Sequence, residues 1–163
     1  MVRSGAEDGP RGGATGELRA DPGRREDEGA VMVALSSLPT DAEMLVRYGL
    51  KLAARRVPCY AVNVRRRKEG PLAAKADRQR GMLASLEMAA RLGAVPVLLD
   101  EDEVASALAD FCASRDVRDA VFGASRLSPL RERLRGSLLL EFLYESVGVD
   151  VHVINLTPRH FNL

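Results

Sequence analysis

Tryptophan is missing from this chain of 163 residues, and three tyrosines and four phenylalanines are its only aromatics. So few rings exclude a stacking platform for single-stranded nucleic acid. Lysine is scarce too: of 24 cationic residues, 21 are Arg and 3 are Lys. Arg is therefore the default basic residue here, and one Arg says little about a bidentate site. Against 23 acids the net charge is only +1, which argues against a DNA-coating surface or an acidic tail. Two cysteines, Cys59 and Cys112, cannot build a disulfide framework. Two histidines, remote from both, give no metal-ligand spacing. No apolar run reaches the roughly 18 residues of a transmembrane helix, and the N-terminus lacks the apolar stretch of a signal peptide. What is left is the expectation of a soluble, cytoplasmic protein that neither binds nucleic acid nor spans a membrane. At 46% hydrophobic residues, one domain with a sizeable core fits the length.

The chain divides unevenly. Residues 1–29 hold 7 of the 14 glycines, 7 acids and 5 Arg, with almost no large apolar side chain. Such a segment cannot bury enough surface to offset its ordering entropy, so it is expected to be a disordered leader. The domain is expected over residues 30–157, with a tail over 158–163. From Ala30 the pattern becomes regular. Strands are expected at Ala30–Leu35, Cys59–Val64, Ala94–Leu99, Arg118–Gly123 and Val149–Leu156. Helices are expected from Thr40 or Asp41 to Arg56, over Leu72–Leu92 on Met82, Leu83, Leu86, Ala89 and Ala90, over Glu101–Arg115, and over Ser137–Val147. Thr40 or Asp41 is expected to cap the first helix and Asp100 or Asp102 the third, while Gly93 suits a left-handed C-cap. Strands alternating with helices imply an α/β fold: a five-stranded parallel sheet with helices on both faces. Ligands of such sheets bind at the carboxyl ends of the strands, which points to the loops after Leu35, Val64 and Gly123.

One constellation carries chemistry. Gly123 and Ser125-Arg126 follow the fourth strand, and nine residues later Gly136-Ser137 opens a helix. Glycine lets a backbone approach a ligand closely. A Gly-Ser helix start offers unpaired N–H groups, a hydroxyl and the positive end of the helix dipole, a set that suits phosphate. Arg126, Arg131, Arg133 and Arg135 share the loop and are able to add charge-assisted bonds. The same residues also fit a tight turn, a break between helical pieces and a solvated Arg face. Neither a Walker A motif nor a G-x-G-x-x-G fingerprint is present.

Over about Ala30 to Asn155 the chain resembles the universal stress proteins. ATP-binding members carry Gly, two residues, Gly, nine residues, Gly, then Ser or Thr. Here Gly123, Arg126 and Gly136-Ser137 keep the spacing, with Arg126 in place of the second Gly and Ser36-Ser37 where the family has Asp. Phe122–Arg126, Leu134–Leu138, Val33–Ser37 and Val149–Ile154 are similar to the stress-protein-like domain of KdpD-type potassium-responsive sensor histidine kinases. The resemblance implies a sensory or regulatory domain that binds an adenine nucleotide (ATP or AMP) without turnover, and a homodimer formed through the last strand. Gly123, Ser125, Arg126, Gly136 and Ser137 would then hold phosphate, Ser36 and Ser37 the ribose or base side, and Val64 the base. Some members of the KdpD branch bind cyclic di-AMP through Ser-x-Ser and Phe-Thr-Ala-x-Tyr elements. Of these, only Ser36 and Ala61 have counterparts here.

The remaining residues have plain readings. Arg65–Lys68 is a four-cation turn, expected to be solvated although it stands at the ligand end of the sheet. His152 is expected as a buried or edge-strand histidine. Cys59 and Cys112 are expected as small core residues. No Ser has a His at a spacing that suggests hydrolysis, so an enzyme is not expected, a weak ATPase being the third reading. The second is a ligand-free dimeric interaction module in which Arg126 fills the phosphate site.

Overall fold

Ala-Val-Met-Val-Ala has no polar side chain to turn toward water. A strand of this kind is stable only when covered on both faces, and Ala30–Ala34 (β1) is the central strand of the sheet. The computed structural model describes residues 29–36, 39–68, 71–124 and 138–156. After β1 come α1 (Pro39–Ala53), β2 (Cys59–Arg65), α2 (Leu72–Leu92), β3 (Val95–Asp100), α3 (Val104–Ser114) and β4 (Val117–Ala124). A helix over 138–145 (α4) and β5 (Asp150–Asn155) complete the order. Nearly all of the expected leader and the whole expected tail lie outside the described residues.

The five strands are parallel in the order β3-β2-β1-β4-β5. Side-chain alternation sorts the sheet into two cores. Val31, Val33, Cys59, Ala61 and Val121 pack under α1 and α2. Met32, Val62, Ala120 and Phe122 pack under α3 and α4, with Phe142 of α4 fully buried against them. The Phe122 and Phe142 rings sit 4.9 Å apart, tilted by 56°, a favourable aromatic geometry. At Gly49, α1 packs against the sheet with no room for a side chain. A Cβ there would stand 2.3 Å from Val33 Cγ2 and 3.1 Å from Cys59 Sγ.

The structure revises several expectations. α2 has a narrower buried stripe than expected: Met82, Ser85, Leu86 and Ala89 are buried, whereas Leu83 is 47% exposed and Ala90 faces solvent. Ser85 replaces a hydrocarbon on that stripe, and its hydroxyl donates to the Gly81 carbonyl at 2.9 Å. α1 already begins at Pro39, so Thr40 and Asp41 lie in its first turn, where Asp41 suits the helix dipole. α3 starts at Val104, and neither Asp100 nor Asp102 caps it. Asp100 pairs with Arg65, and Asp102 accepts hydrogen bonds from the backbone of Arg67 and Lys68. Gly93 does close α2 in the left-handed region at φ 103°.

Both thiols are buried, Cys112 with its Sγ 3.6 Å from Met32 Sδ. Burial pushes Cys59 up to about 11 and Cys112 to about 12, because a thiolate there would lose its hydration. Only the thiolate reacts. Native protein at neutral pH is therefore expected to resist a disulfide reagent, and both cysteines to titrate once urea unfolds the chain. Fast labelling of either in native buffer would contradict this packing.

Candidate functional site

The chain moves outward from β1 to β2 and β3, then crosses back to place β4 on the other side of β1. The crossovers after β1 and β4 leave in opposite directions, which opens a crevice at the carboxyl ends of these strands. The ladder runs slightly past the strands on both sides of it, with Leu35 N–H donating to Val62 O at 2.8 Å and Leu156 N–H to Ala124 O at 2.7 Å. A cavity of about 230 Å³ lies there. Its wall includes Leu35, Ser36, Leu45, Asn63, Val64, Val104, Leu108, Phe122, Gly123, Leu138, Val153 and Leu156. Whole pockets for drug-sized ligands run to about 300–1,000 Å³. This one encloses part of a ligand of that size, and the rest would lie over the rim.

Ser36 just after β1, Val64 near the end of β2 and Gly123 near the end of β4 line this one cavity. Ser37, Ser125, Arg126, Gly136 and Ser137 lie outside the described residues. The described chain stops at Ala124, which lines the cavity, and resumes at Leu138, which also lines it. Gly123 has a packing role that the sequence does not disclose. A Cβ there would stand 2.5 Å from Leu156 Cδ1 and 3.1 Å from Leu45 Cδ1. The space a side chain would take is thus filled by leucine side chains of the α1 core.

Among the described lining residues, Ser36 and Asn63 carry the polar side chains. Asn63 is only 4% exposed, and its Nδ2 donates to the Ser36 carbonyl at 3.4 Å. Sequence reasoning passed over it. The available signal was a carboxamide inside the otherwise buried run Cys59-Tyr-Ala-Val-Asn63-Val64. The apolar wall contributed by α1, α3 and β5 was equally invisible before the elements were assembled.

The basic turn beside the cavity is tied down. Arg65 forms a two-pronged pair with Asp100, Nε to Oδ1 and Nη2 to Oδ2 at 2.7 Å. Asp102 Oδ1 accepts the N–H groups of Arg67 and Lys68, each at 3.1 Å. Glu101 N–H donates to Arg65 O at 3.1 Å. The turn that opens at Arg65 is thus joined to Asp100, Glu101 and Asp102 by one ion pair and three hydrogen bonds from backbone N–H groups. His152 lies on edge strand β5 and outside the cavity lining. Its Nε2 is 2.8 Å from Asp119 Oδ1 and its Nδ1 is 3.4 Å from Tyr48 Oη.

No known protein-family model matches the chain, and no curated protein sequence matches it. Solved structures do match. A universal stress protein from Archaeoglobus fulgidus is 20% identical, with a TM-score of 0.58 over 77% of this chain and 98% of that one. The structure of the A. fulgidus protein in complex with dAMP is 19% identical, with a TM-score of 0.57 over 77% and 97%. A universal stress protein in complex with cAMP is 18% identical, with a TM-score of 0.53 over 78% and 96%. These likenesses establish the fold, an α/β sheet of the universal stress protein kind.

The Arg65 guanidinium, by hydrogen bond and charge, holds the Asp100 carboxyl below the usual carboxylate range. A lowered carboxylate adds stability above its unfolded pKa and loses it as pH falls through the lowered folded value. The pair is two-fifths exposed, so its contribution is small and salt-sensitive. The expected outcome is a low Asp100 titration by NMR that returns to the ordinary range in Arg65→Gln. An unchanged titration in that variant would show that Arg65 is not the cause.

Proposed function

We propose that this chain is a regulatory domain of the universal stress protein type that holds an adenine nucleotide without turning it over. The carrying observation is the cavity at the strand-order reversal. Ser36, Val64 and Gly123 share it, and the chain enters and leaves the Ser125–Ser137 segment at its wall. An apolar cavity suits a planar base. Gly136-Ser137, which precede α4 in the sequence, would supply the phosphate chemistry described above together with Ser125 and Arg126, while Ser36 and Ser37 would take the ribose or base side. The fold neighbours bound to dAMP and cAMP support the ligand class. Bound nucleotide would shift an equilibrium of loop order or dimer contacts. A cytoplasmic location fits this role; among the described residues no helix is long and apolar enough to cross a membrane.

Dimerisation through β5 is part of this reading. The two sheet edges differ. β3 carries Pro96, which removes a ladder donor and blunts that edge. β5 has no proline, and around it Val153, Leu140, Leu143, Tyr144 and Val147 are 48–92% exposed. An edge of this kind requires cover. The finer KdpD-type reading, with cyclic di-AMP as ligand, has only Ser36 and Ala61 as counterparts of that ligand's elements, and of its Leu134–Leu138 block only Leu138 is among the described residues.

Calorimetry and thermal shift with ATP, ADP, AMP, dAMP, cAMP and cyclic di-AMP test the proposal. Binding of an adenine mononucleotide is expected, with about 2.7 kcal/mol of stabilisation at a hundredfold excess over Kd, lost in Gly136→Val. Selective binding of cyclic di-AMP would favour the KdpD-type ligand. No binding at all would leave the dimeric interaction module. Sedimentation is expected at twice the 17.7 kDa chain mass; a monomer at micromolar concentration would refute pairing through β5.

A further inference from the structure

Asn63 stands out once the rest of the wall is known. It is one of two polar or charged side chains that are buried among the described residues, and the other, Ser85, is spent on its own helix. Asn63 sits on β2 directly before Val64, with Leu98 of β3 in register beside it. Leu35 and Leu45, which share the cavity wall with it, belong to the core on the α1 side of the sheet, as does Ala61, two residues before it on β2. A carboxamide in such surroundings is costly unless its donors and acceptor are used. One donor meets the Ser36 carbonyl at the long distance of 3.4 Å. Support for a loop carbonyl needs only a donor. A carboxamide brings a second N–H and a carbonyl oxygen side by side, in a plane.

We propose that Asn63 is the specificity-determining residue of the cavity, selecting a 6-aminopurine over a 6-oxopurine by pairing with the base edge. This rests on the nucleotide reading above. The chemistry follows from complementarity. Adenine presents an amino donor beside a ring-nitrogen acceptor, and the Asn N–H and carbonyl oxygen meet that pair in two parallel hydrogen bonds. On the N6/N7 edge hypoxanthine replaces the amino donor with an oxygen and keeps N7 as an acceptor, so neither orientation of the Asn carboxamide satisfies both of its groups. In an apolar cavity water cannot repair that mismatch, so the wrong base is rejected more strongly than at an open surface. Apart from Ser36 and Asn63, the side chains among the described lining residues are apolar and supply shape and dispersion.

The test compares AMP with inosine monophosphate by calorimetry on the full chain, for wild type, Asn63→Leu and Asn63→Ala. Wild type is expected to prefer AMP by about tenfold, within the range of one bidentate pair. In Asn63→Leu, nearly isosteric and apolar, that ratio is expected to fall to near one. Asn63→Ala serves if the leucine variant does not fold, as judged by circular dichroism and Tm. A residue that merely supports the Ser36 loop would weaken both ligands equally and leave the ratio unchanged, and that result overturns the proposal. Equal affinity of wild type for the two nucleotides also overturns it, while nucleotide binding itself stands. If wild type binds neither, the nucleotide reading fails as well, and this is seen before any variant is made.

Discussion

Five strands that all run the same way cannot be joined by hairpins. Each must return over a face of the sheet, and the fold follows from that constraint. β1 is covered from both sides, which its five apolar residues permit and its neighbours β2 and β4 share. The returns that carry α1 and α2 cover one face, and those that carry α3 and α4 cover the other. Where the direction of winding reverses, between β1 and β4, the departing loops separate. The cavity exists because of that reversal, and it would sit at the same place with many different linings.

The two faces are not filled in the same way. Under α1, close approach is achieved with small groups, Gly49 against Val33 and Cys59, and Gly123 against Leu156 and Leu45. Under α3 and α4, large rings fill the space, with Phe122, Phe142 and Phe111 buried. The cavity lies between these regimes and takes wall from both. Its polarity is concentrated in Ser36 and Asn63, which are hydrogen-bonded to one another. Buried polar atoms are otherwise satisfied: among the described residues no fully buried side-chain nitrogen or oxygen lacks a partner.

Charge is handled locally. The Arg-rich turn after β2 reads in the sequence as a solvated turn at the ligand end of the sheet. In the fold it stands against Asp100–Glu103, which follow the neighbouring strand and lie next to it only because β2 and β3 pair in register from Tyr60 to Arg65. Arg65 and Asp100 are the last partners of that register. The turn is pinned through the Arg65–Asp100 pair and through the backbone amides of Arg67 and Lys68. It is a firm edge for the cavity that begins one residue earlier, at Val64.

The order of elements, the α/β class, the span of α2 and the left-handed Gly93 were legible in the sequence, because apolar periodicity and glycine placement are local properties. So was the end of the sheet at which Ser36, Val64 and Gly123 stand, since it follows from strand direction alone. Other features required the assembled chain. That Gly123 makes room for Leu156, that Asp102 serves the turn after β2 and not the cap of α3, and that Leu83 is exposed all depend on which residues meet across long stretches of sequence. Asn63 is the clearest case. By itself it is a polar interruption in an apolar strand; the pairing of β1 with β2, which sets its amide against Ser36 in a hydrocarbon wall, is what gives it chemical meaning.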